Sequence, residues 1–246
     1  MNRRPVFATL LVLCVAGSTS VRTGAQTPPT PTIDQILDKY VTASGGRAAI
    51  EKITSASAKG TIDIPDAGVS GTVELLQKAP AKSLTTVDLG PVGAQREGYD
   101  GTVGWSADPQ NGLREKSGGD LADAKRSAVF PRELVLKTLY QSMTVKGREQ
   151  VDGKDAYVVE AVPAEGTPIK MYFGVESGLV VRQLTTRQTP QGPIEVEATF
   201  SDFRPVDGVQ RPFLIRQVTA IFTATIQFTE VKHNVPIDDG VFKMPK

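Results

Sequence analysis

The chain has very few of the side chains on which most metal and redox chemistry depends. Its 246 residues include one cysteine, Cys14, and one histidine, His233. Because Cys14 lies in an N-terminal segment that we expect to be removed on export, the mature chain would contain no thiol. This excludes disulfides, CxxC redox motifs, CxxCH haem attachment and thiolate zinc sites, and a single histidine excludes a histidine-rich metal site. We therefore predict no metal and no cofactor.

The first residues have the pattern of an export signal. Asn2-Arg3-Arg4 supply positive charge, Val6 to Gly17 form a short apolar segment, and Thr23-Gly24-Ala25 offer small residues for cleavage. We predict that residues 1–25 are a signal peptide and that the mature protein is periplasmic or secreted. The residue before Cys14 is larger than bacterial lipoprotein processing accepts, so we do not predict a lipid anchor.

Removal of the signal also sets the charge of the mature chain. Arg3, Arg4 and Arg22 leave with it, which lowers the basic residues from 28 to 25 against 27 acidic ones and gives a net charge of −2. An earlier cut, after Ser20, remains open. Because phosphate binding needs a concentrated basic surface, this scattered balance argues against a nucleic-acid partner. No other stretch approaches the ~18 apolar residues of a membrane span, so we predict no transmembrane segment in the mature chain.

The start of the mature chain has the pattern of a tether followed by a helix. Residues 26–31 (QTPPTP) predict an extended Pro/Thr-rich tether, and we predict a single domain over residues 32–246. Thr32 and Gln35 have the spacing of a capping box, and Gly45-Gly46 would end the helix. Between them an apolar face at helical spacing contains Ile33, Ile36, Leu37, Tyr40 and Val41.

From about residue 55 the pattern changes to extended runs separated by short turns. Asp-Gly or Ser-Gly pairs, which provide the positive φ of tight hairpins, occur at residues 100–101, 152–153, 177–178 and 207–208. Several runs, such as residues 169–173, alternate apolar and polar side chains and so indicate one dry and one wet face. We predict a mainly β (α+β) fold whose antiparallel sheet has about ten or eleven strands.

Residues 118–140 interrupt the strands. Asp120 is a candidate N-cap for a first helix, and Pro131 is placed to begin a second. The second predicted helix carries the apolar side chains Leu134, Val135, Leu136, Leu139 and Tyr140. Because these side chains need a partner surface, we expect the two helices to cover part of the dry face of the sheet as a lid.

Five groups of residues, spread over nearly the whole mature chain, together form a recognisable pattern. They are Tyr40 to Gly46, Ile53 to Gly60, Gly98-Tyr99-Asp100-Gly101 with Trp105, Tyr172-Phe173 before Ser177-Gly178-Leu179, and Phe200-Ser201-Asp202-Phe203 before Asp207-Gly208-Val209 with Pro212. This pattern resembles the LolA/LolB-type lipoprotein-carrier superfamily, and more narrowly the exported outer-membrane lipoprotein-sorting-like proteins of acidobacteria. The resemblance implies a strongly curved antiparallel sheet that forms an unclosed half-barrel, with helices as a lid over an apolar cavity that takes acyl chains.

Ten side chains are our candidates for the walls and lid of that cavity. They are Trp105, Leu134, Leu136, Leu139, Tyr140, Met143, Met171, Phe173, Phe222 and Phe228. On the inward face of a half-barrel the same side chains form core and cavity wall, so the sequence leaves open which of them contact ligand.

We predict a binding protein and not an enzyme. An acyl chain loses about 0.8 kcal/mol for each CH₂ left in water, so a dry concavity would stabilise a lipid or a lipoprotein acyl chain during transit. The ligand would be held alone or handed to an envelope protein partner. The main alternative is an envelope sensor or interaction domain, as in the RseB relatives of the superfamily, in which a protein partner matters more than the cavity.

A hydrolase with a minimal site is the second alternative. It would depend on His233, but no GxSxG or comparable nucleophile elbow occurs in the sequence. Asp202, Asp207 and Asp238-Asp239 could be imagined as a hard-cation site, but their spacing matches no calcium loop and turn capping explains each of them.

Overall fold

The computed structural model describes residues 30–189 and 192–246; the predicted signal peptide and most of the predicted tether lie outside them. The helices are α1 (Ile33–Ala43), α2 (Arg47–Ile50) and α3 (Gly118–Ala128). The strands are β1 (Ser55–Ile64), β2 (Val69–Lys78), β3 (Lys82–Asp88), β4 (Ala94–Tyr99), β5 (Gly104–Asp108), β6 (Gly112–Glu115), β7 (Ser142–Val151), β8 (Lys154–Val162), β9 (Ile169–Gly174), β10 (Val180–Thr189), β11 (Gly192–Val206), β12 (Val209–Val218) and β13 (Thr223–His233). Among the described residues, no helix combines the length and apolar character needed to cross a membrane.

The helix α1 begins and ends as its sequence predicts. Thr32 Oγ1 accepts a hydrogen bond from the Gln35 backbone N–H at 3.2 Å, and the Gln35 side chain accepts one from the Thr32 N–H at 2.9 Å, which completes the capping box. At the other end Gly45 has a φ of +124°, and a Cβ there would lie 2.2 Å from the backbone oxygen of Gly208. Glycine at this position therefore stops the helix and lets it approach the β11–β12 turn.

All described strands form one antiparallel sheet, ordered β6-β5-β4-β3-β2-β1-β13-β12-β11-β10-β9-β8-β7. We call β1–β6 the first arm and β7–β13 the second arm; they join where β1 pairs with β13. The four predicted glycine turns lie between β4 and β5, β7 and β8, β9 and β10, and β11 and β12. The predicted architecture is confirmed, but the sheet has thirteen strands and not ten or eleven. The short edge strand β6 is exposed at all four residues and therefore has no apolar alternation to reveal it.

The sheet is strongly curved and open. Glu97 on β4 and Arg187 on β10 are seven strands apart in the sheet, which is roughly 34 Å in a flat sheet at ~4.8 Å per strand. Their side chains nevertheless approach to 3.9 Å. The edge strands β6 and β7 do not pair with each other. The two arms therefore bend toward each other as an unclosed half-barrel, as a sheet of this width requires.

The strand register decides which side chains share the inner face. Residues that pair directly across antiparallel strands point to the same side of a sheet, as do residues two apart on one strand. The pairs form a continuous set: Val159–Met171, Met171–Gln183, Gln183–Ala198, Phe200–Ile215, Ile215–Ile226 and Ile226–Ile62. Helix α1 packs on this side, because the rings of Tyr40 and Phe173 meet edge to face with centroids 5.5 Å apart. We call it the concave face.

Residues 118–140, which we call the lid, connect the two edges of the sheet. Leu121 of α3 packs on Gly104 of the first arm. Arg126 Nη1 donates a hydrogen bond to the backbone oxygen of Glu165, in the β8–β9 loop of the second arm, at 3.4 Å. The lid therefore bridges both arms across the open side of the half-barrel.

The prediction of a second lid helix, beginning at Pro131, is wrong. In its place the chain makes two short 3₁₀ turns, Arg132–Leu134 and Leu136–Leu139. Between them Val135 has φ −123° and ψ 10°, outside the helical region, so no helix passes through it. A segment of about ten residues is marginal as an isolated helix, and here the burial of Leu136 and Tyr140 determines the backbone instead.

The outer face of the first arm is covered by the end of the chain. Trp105 is completely buried there with Phe242, and its indole N–H donates to the Phe242 backbone oxygen at 2.8 Å. Leu84 completes this cluster. Gly98 pairs with Trp105 across the sheet and leaves room for the indole ring.

We expect Gly98→Ala to destabilise the protein by about 1–3 kcal/mol, because the added Cβ would lie 2.4 Å from the Trp105 indole. Urea unfolding measures this free energy. The matched control is Gly119→Ala in α3, where the nearest atom to a new Cβ is 4.0 Å away, and it should not lower stability, because alanine is favoured over glycine in a helix. Equal effects of the two substitutions would contradict the packing described here.

Candidate functional site

A cavity of about 270 Å³ lies between α1, the lid and the concave face of the second arm. Its apolar wall consists of Leu136, Met171, Leu179, Val180, Phe200, Phe203 and Pro212, with the Tyr40 ring. Its polar lining consists of Ser44, Gln77, Arg132, Glu133, Gln183 and Gln210. The concave face is thus largely filled by the protein's own side chains, and a small amphipathic hollow remains beneath the lid.

The structure brings two of the ten candidate residues, Leu136 and Met171, to the cavity wall. Four others lie behind them in the hydrophobic cluster between α1, the 3₁₀ turns and β7–β9: Leu139, Tyr140, Met143 and Phe173. The remaining four lie in other clusters: Leu134 with Ile50 and Phe130, Phe222 just before β13 with Phe228 on β13, and Trp105 on the outer face. None of these four lines this cavity.

Phe200 and Phe203 line the cavity together, which sequence alternation would not predict. Three residues apart on one strand, they would point to opposite faces of a regular sheet. Asp202 between them has a φ of 51°, which interrupts the extended backbone. Its carboxylate accepts hydrogen bonds from Arg204 Nε at 2.9 Å and Nη2 at 2.6 Å. The Phe-Ser-Asp-Phe motif is visible in the sequence, but the positive φ of Asp202 that brings both rings to the cavity is not.

A second concavity, an open groove of about 730 Å³, lies between the start of β1 and residues 234–238, which belong to the C-terminal segment that follows β13. Its polar groups are already bonded within the protein. Asn234 Oδ1 accepts from the Thr54 backbone N–H at 2.9 Å, and Ser55 Oγ donates to the Val235 oxygen at 2.7 Å. Lys78 Nζ donates to the Ile237 oxygen at 2.8 Å. These bonds fasten the C-terminal segment, and we therefore take the cavity beneath the lid as the candidate site.

A buried polar network fastens the lid beside that cavity. Arg211 on β12 donates from Nη1 to Glu133 of the lid at 2.5 Å and from Nε to His233 Nε2 at 3.0 Å. Both Glu133 and His233 are buried. The guanidinium also lies 5.9 Å from the centroid of the Phe130 ring. One arginine therefore connects the lid to the end of β13, a contact between residues that no local pattern links.

His233 is held in its neutral form. Because its Nε2 accepts from Arg211, the ring proton belongs on Nδ1, which lies 3.3 Å from the Asp207 carboxylate in an electrostatic contact without hydrogen-bond alignment. Burial and then the positive charge of Arg211 lower the pKa of His233, and the charges of Asp207 and Glu133 oppose them. The imidazole is thus a bonding partner of Arg211, and no serine hydroxyl among the described residues is its partner.

The Tyr40 hydroxyl is also kept uncharged. Burial and then the negative charge of Glu133 raise the pKa of Tyr40 well above its usual value, against the opposing charges of Arg132 and Arg211. Tyr40 therefore contributes a neutral ring and hydroxyl to the cavity at any physiological pH.

The acidic residues considered for a cation site serve other contacts. Asp239 pairs with Lys78 at 2.8 Å and Lys82 at 2.6 Å, and these hydrogen bonds lower its pKa to about 2. Asp202 and Asp207 are the partners of Arg204 and His233. Across residues 30–189 and 192–246, no group of three or more His, Cys, Asp or Glu side chains is placed to hold a metal ion.

Three solved structures share this architecture. A DUF1329-family protein from Desulfovibrio piger matches with a TM-score of 0.58 at 17% identity, over 87% of this chain and 98% of the other. A putative outer membrane lipoprotein-sorting protein domain from Vibrio parahaemolyticus matches at 0.57 and 13% identity, over 85% and 96%. A LolA-superfamily protein from Nitrosomonas europaea matches at 0.56 and 15% identity, over 87% and 98%.

These likenesses establish the fold of the chain, and no more, because the identities are low. No protein-family model matches the sequence, and no curated protein matches it either. The chain has the LolA-like fold, as the sequence resemblance implied. The narrower resemblance to the acidobacterial proteins stays a prediction.

We expect the pKa of the single histidine to lie below its ordinary value of 6.5, because burial and Arg211 favour the neutral ring. Proton NMR of His233 measures this without assignment ambiguity. In the unfolded chain the imidazole binds a proton below 6.5, while in the folded chain it does not until a lower pH. The network's stabilisation is therefore fully present above the unfolded pKa of 6.5, and it is lost as the pH falls from there toward the folded pKa.

The free energy of unfolding should accordingly fall in the wild type as the pH drops through 6.5, and fall less steeply in His233→Gln. Urea titrations of both proteins above and below this pH provide the comparison. A histidine resonance that titrates at or above 6.5, or identical pH dependence of the two proteins, would contradict the neutral assignment.

Proposed function

We propose that this protein binds an apolar chain of the acyl class in the cavity beneath the lid, outside the cytoplasm. The observation that carries the proposal is the cavity itself: apolar side chains from α1, the lid and four strands meet around a hollow of about 270 Å³ that the protein's own core does not fill. The hollow opens to solvent on one side, so an apolar chain that enters it leaves water for an apolar wall, which is favourable.

The volume of the cavity sets the length of chain that it can bury. A methylene group occupies about 30 Å³, as much as a water molecule in the liquid, so about nine methylenes fit in the cavity. Removing each of them from water contributes about 0.8 kcal/mol. A longer chain would extend beyond the cavity, either under the lid or into solvent.

The lid is the wall best suited to move for uptake and release. Its inner part consists of short 3₁₀ turns, whose hydrogen bonds are poorer than those of an α-helix, and Val135 between them is 37% exposed. The other walls belong to α1 and to the continuous sheet. Opening the lid at this segment would break the Glu133–Arg211 pair and expose Leu136 and the cavity, but it would leave the strand pairing of the sheet intact.

The structural likeness supports an envelope role. One similar structure is described as a putative outer membrane lipoprotein-sorting protein domain, and the acyl chains of a lipoprotein are the apolar chemistry that this cavity would accept. The proposed location rests on the predicted signal peptide of residues 1–25. Handing the ligand to an envelope protein, the sensor alternative and the hydrolase alternative all stay predictions from the sequence.

We expect Val180→Phe to weaken binding of a fluorescent fatty acid at least about tenfold. Val180 lines the cavity, and a ring there would displace two or more methylenes, each worth about 0.8 kcal/mol where 1.4 kcal/mol is a factor of ten. The matched control is Val181→Phe, because the next residue on β10 points to the outer face and packs in a different cluster. It should bind within about twofold of the wild type.

Native mass spectrometry of the mature protein purified from the periplasm, before and after delipidation, complements this titration. Retained acyl species would support the proposal. A protein that is purified empty and also ignores fatty acids and lipopeptides would contradict it, as would equal binding by Val180→Phe and Val181→Phe. Cleavage of an ester substrate, lost in His233→Ala, would instead support the hydrolase alternative.

A further inference from the structure

One cation in the cavity wall has no acidic partner among the described residues. Arg132 lines the cavity and is half-buried. Within the part of the chain that the structure describes, the one hydrogen bond of its side chain is a long contact of 3.5 Å from Nη2 to the Tyr140 hydroxyl, and it makes no ion pair. A partly desolvated guanidinium usually binds a carboxylate or phosphate, often through two parallel hydrogen bonds.

The neighbouring charges leave Arg132 uncompensated. Glu133 also lines the cavity, but its carboxylate is bound to Arg211 at 2.5 Å and is thereby neutralised. Asp207 faces His233 and is largely exposed to solvent. Arg132, Glu133 and Arg211 together carry one positive charge in excess, and it lies at the cavity.

Three amide side chains provide further hydrogen-bonding capacity. Gln77, Gln183 and Gln210 line the cavity from β2, β10 and β12. Their side-chain amides form no hydrogen bond with other described residues. They are half-buried, so a polar head group that enters the cavity can hydrogen-bond to them.

On these observations, and given the proposed function, we infer that the ligand is a single-chain amphiphile with an anionic head. Its carboxylate or phosphate oxygens would bind Arg132, and its first nine or so carbons would occupy the apolar wall formed by Leu136, Met171 and Phe200. Carboxylate and phosphate heads share the chemistry that Arg132 recognises. A neutral lipid of the same length would leave the guanidinium without a partner.

Three ten-carbon probes test the head group: decanoate, decyl phosphate and decanol, each titrated below its micelle concentration by isothermal calorimetry. We expect one or both anions to bind at least about tenfold more tightly than decanol, and the stronger anion identifies the head. In Arg132→Gln the anions should fall to the affinity of decanol, whose own affinity should stay within about twofold. Unchanged decanol binding also shows that the variant is folded.

Arg148→Gln is the matched control, because Arg148 also donates to a tyrosine hydroxyl, that of Tyr157 at 2.8 Å, but outside the cavity. It should leave all three affinities unchanged. Octanoate and hexadecanoate test the length: affinity should rise about fourfold per methylene up to about nine and then level off.

The possible failures are distinguishable. If decanol and both anions bind equally, or if Arg132→Gln and Arg148→Gln behave alike, the anionic head is wrong while the proposed function stands. If no probe binds the wild-type protein, both the proposed function and this inference are overturned.

Discussion

The first strand, β1, pairs with the last strand, β13, near the centre of the sheet. The first arm then grows outward strand by strand, and the chain must pass from β6 at one edge to β7 at the other before the second arm returns. That passage is the lid. The topology therefore requires a segment to cross the open side of the half-barrel, whatever the sequence of that segment.

The side chains of this crossing segment decide whether the enclosed space is filled. Leu136 and Tyr140 pack with α1 and the second arm, and Phe130 packs with α2. Between these apolar contacts the lid is also held by the buried ion pair of Glu133 with Arg211. A buried ion pair fixes position well but contributes little net stability, because desolvation offsets most of the attraction. The hollow therefore lies beside a polar fastening of the lid, which is consistent with the proposed binding site and its movable wall.

Local sequence patterns predicted the parts of the fold that local interactions determine. The capping box at Thr32, the glycine stop at Gly45 and the hairpin turn at Asp207-Gly208 need only neighbouring residues. The failures lie where distant contacts decide. Helical spacing after Pro131 predicted a helix, but packing of Leu136 against strands made far along the chain produced 3₁₀ turns instead.

The candidate site was predictable in kind but not in detail. Apolar alternation identified Met171 as inward-facing, and Leu136 followed from the predicted lid. Apolar alternation could not show that Trp105 belongs to the outer face, since that depends on where the C-terminal segment packs. The polar lining was missed entirely, because Arg132 and the three glutamines acquire meaning only when four separate elements meet.

The central claim is that a hollow persists beneath the lid and takes the chain of a ligand. A crystal structure of the mature protein with a decanoic acid brominated at its last carbon tests it directly, because anomalous scattering locates the bromine. We predict a bromine peak in van der Waals contact with Leu136, Met171 or Phe200. Bromine found only on the outer surface, with the space beneath the lid filled by the protein's own side chains, would contradict the account.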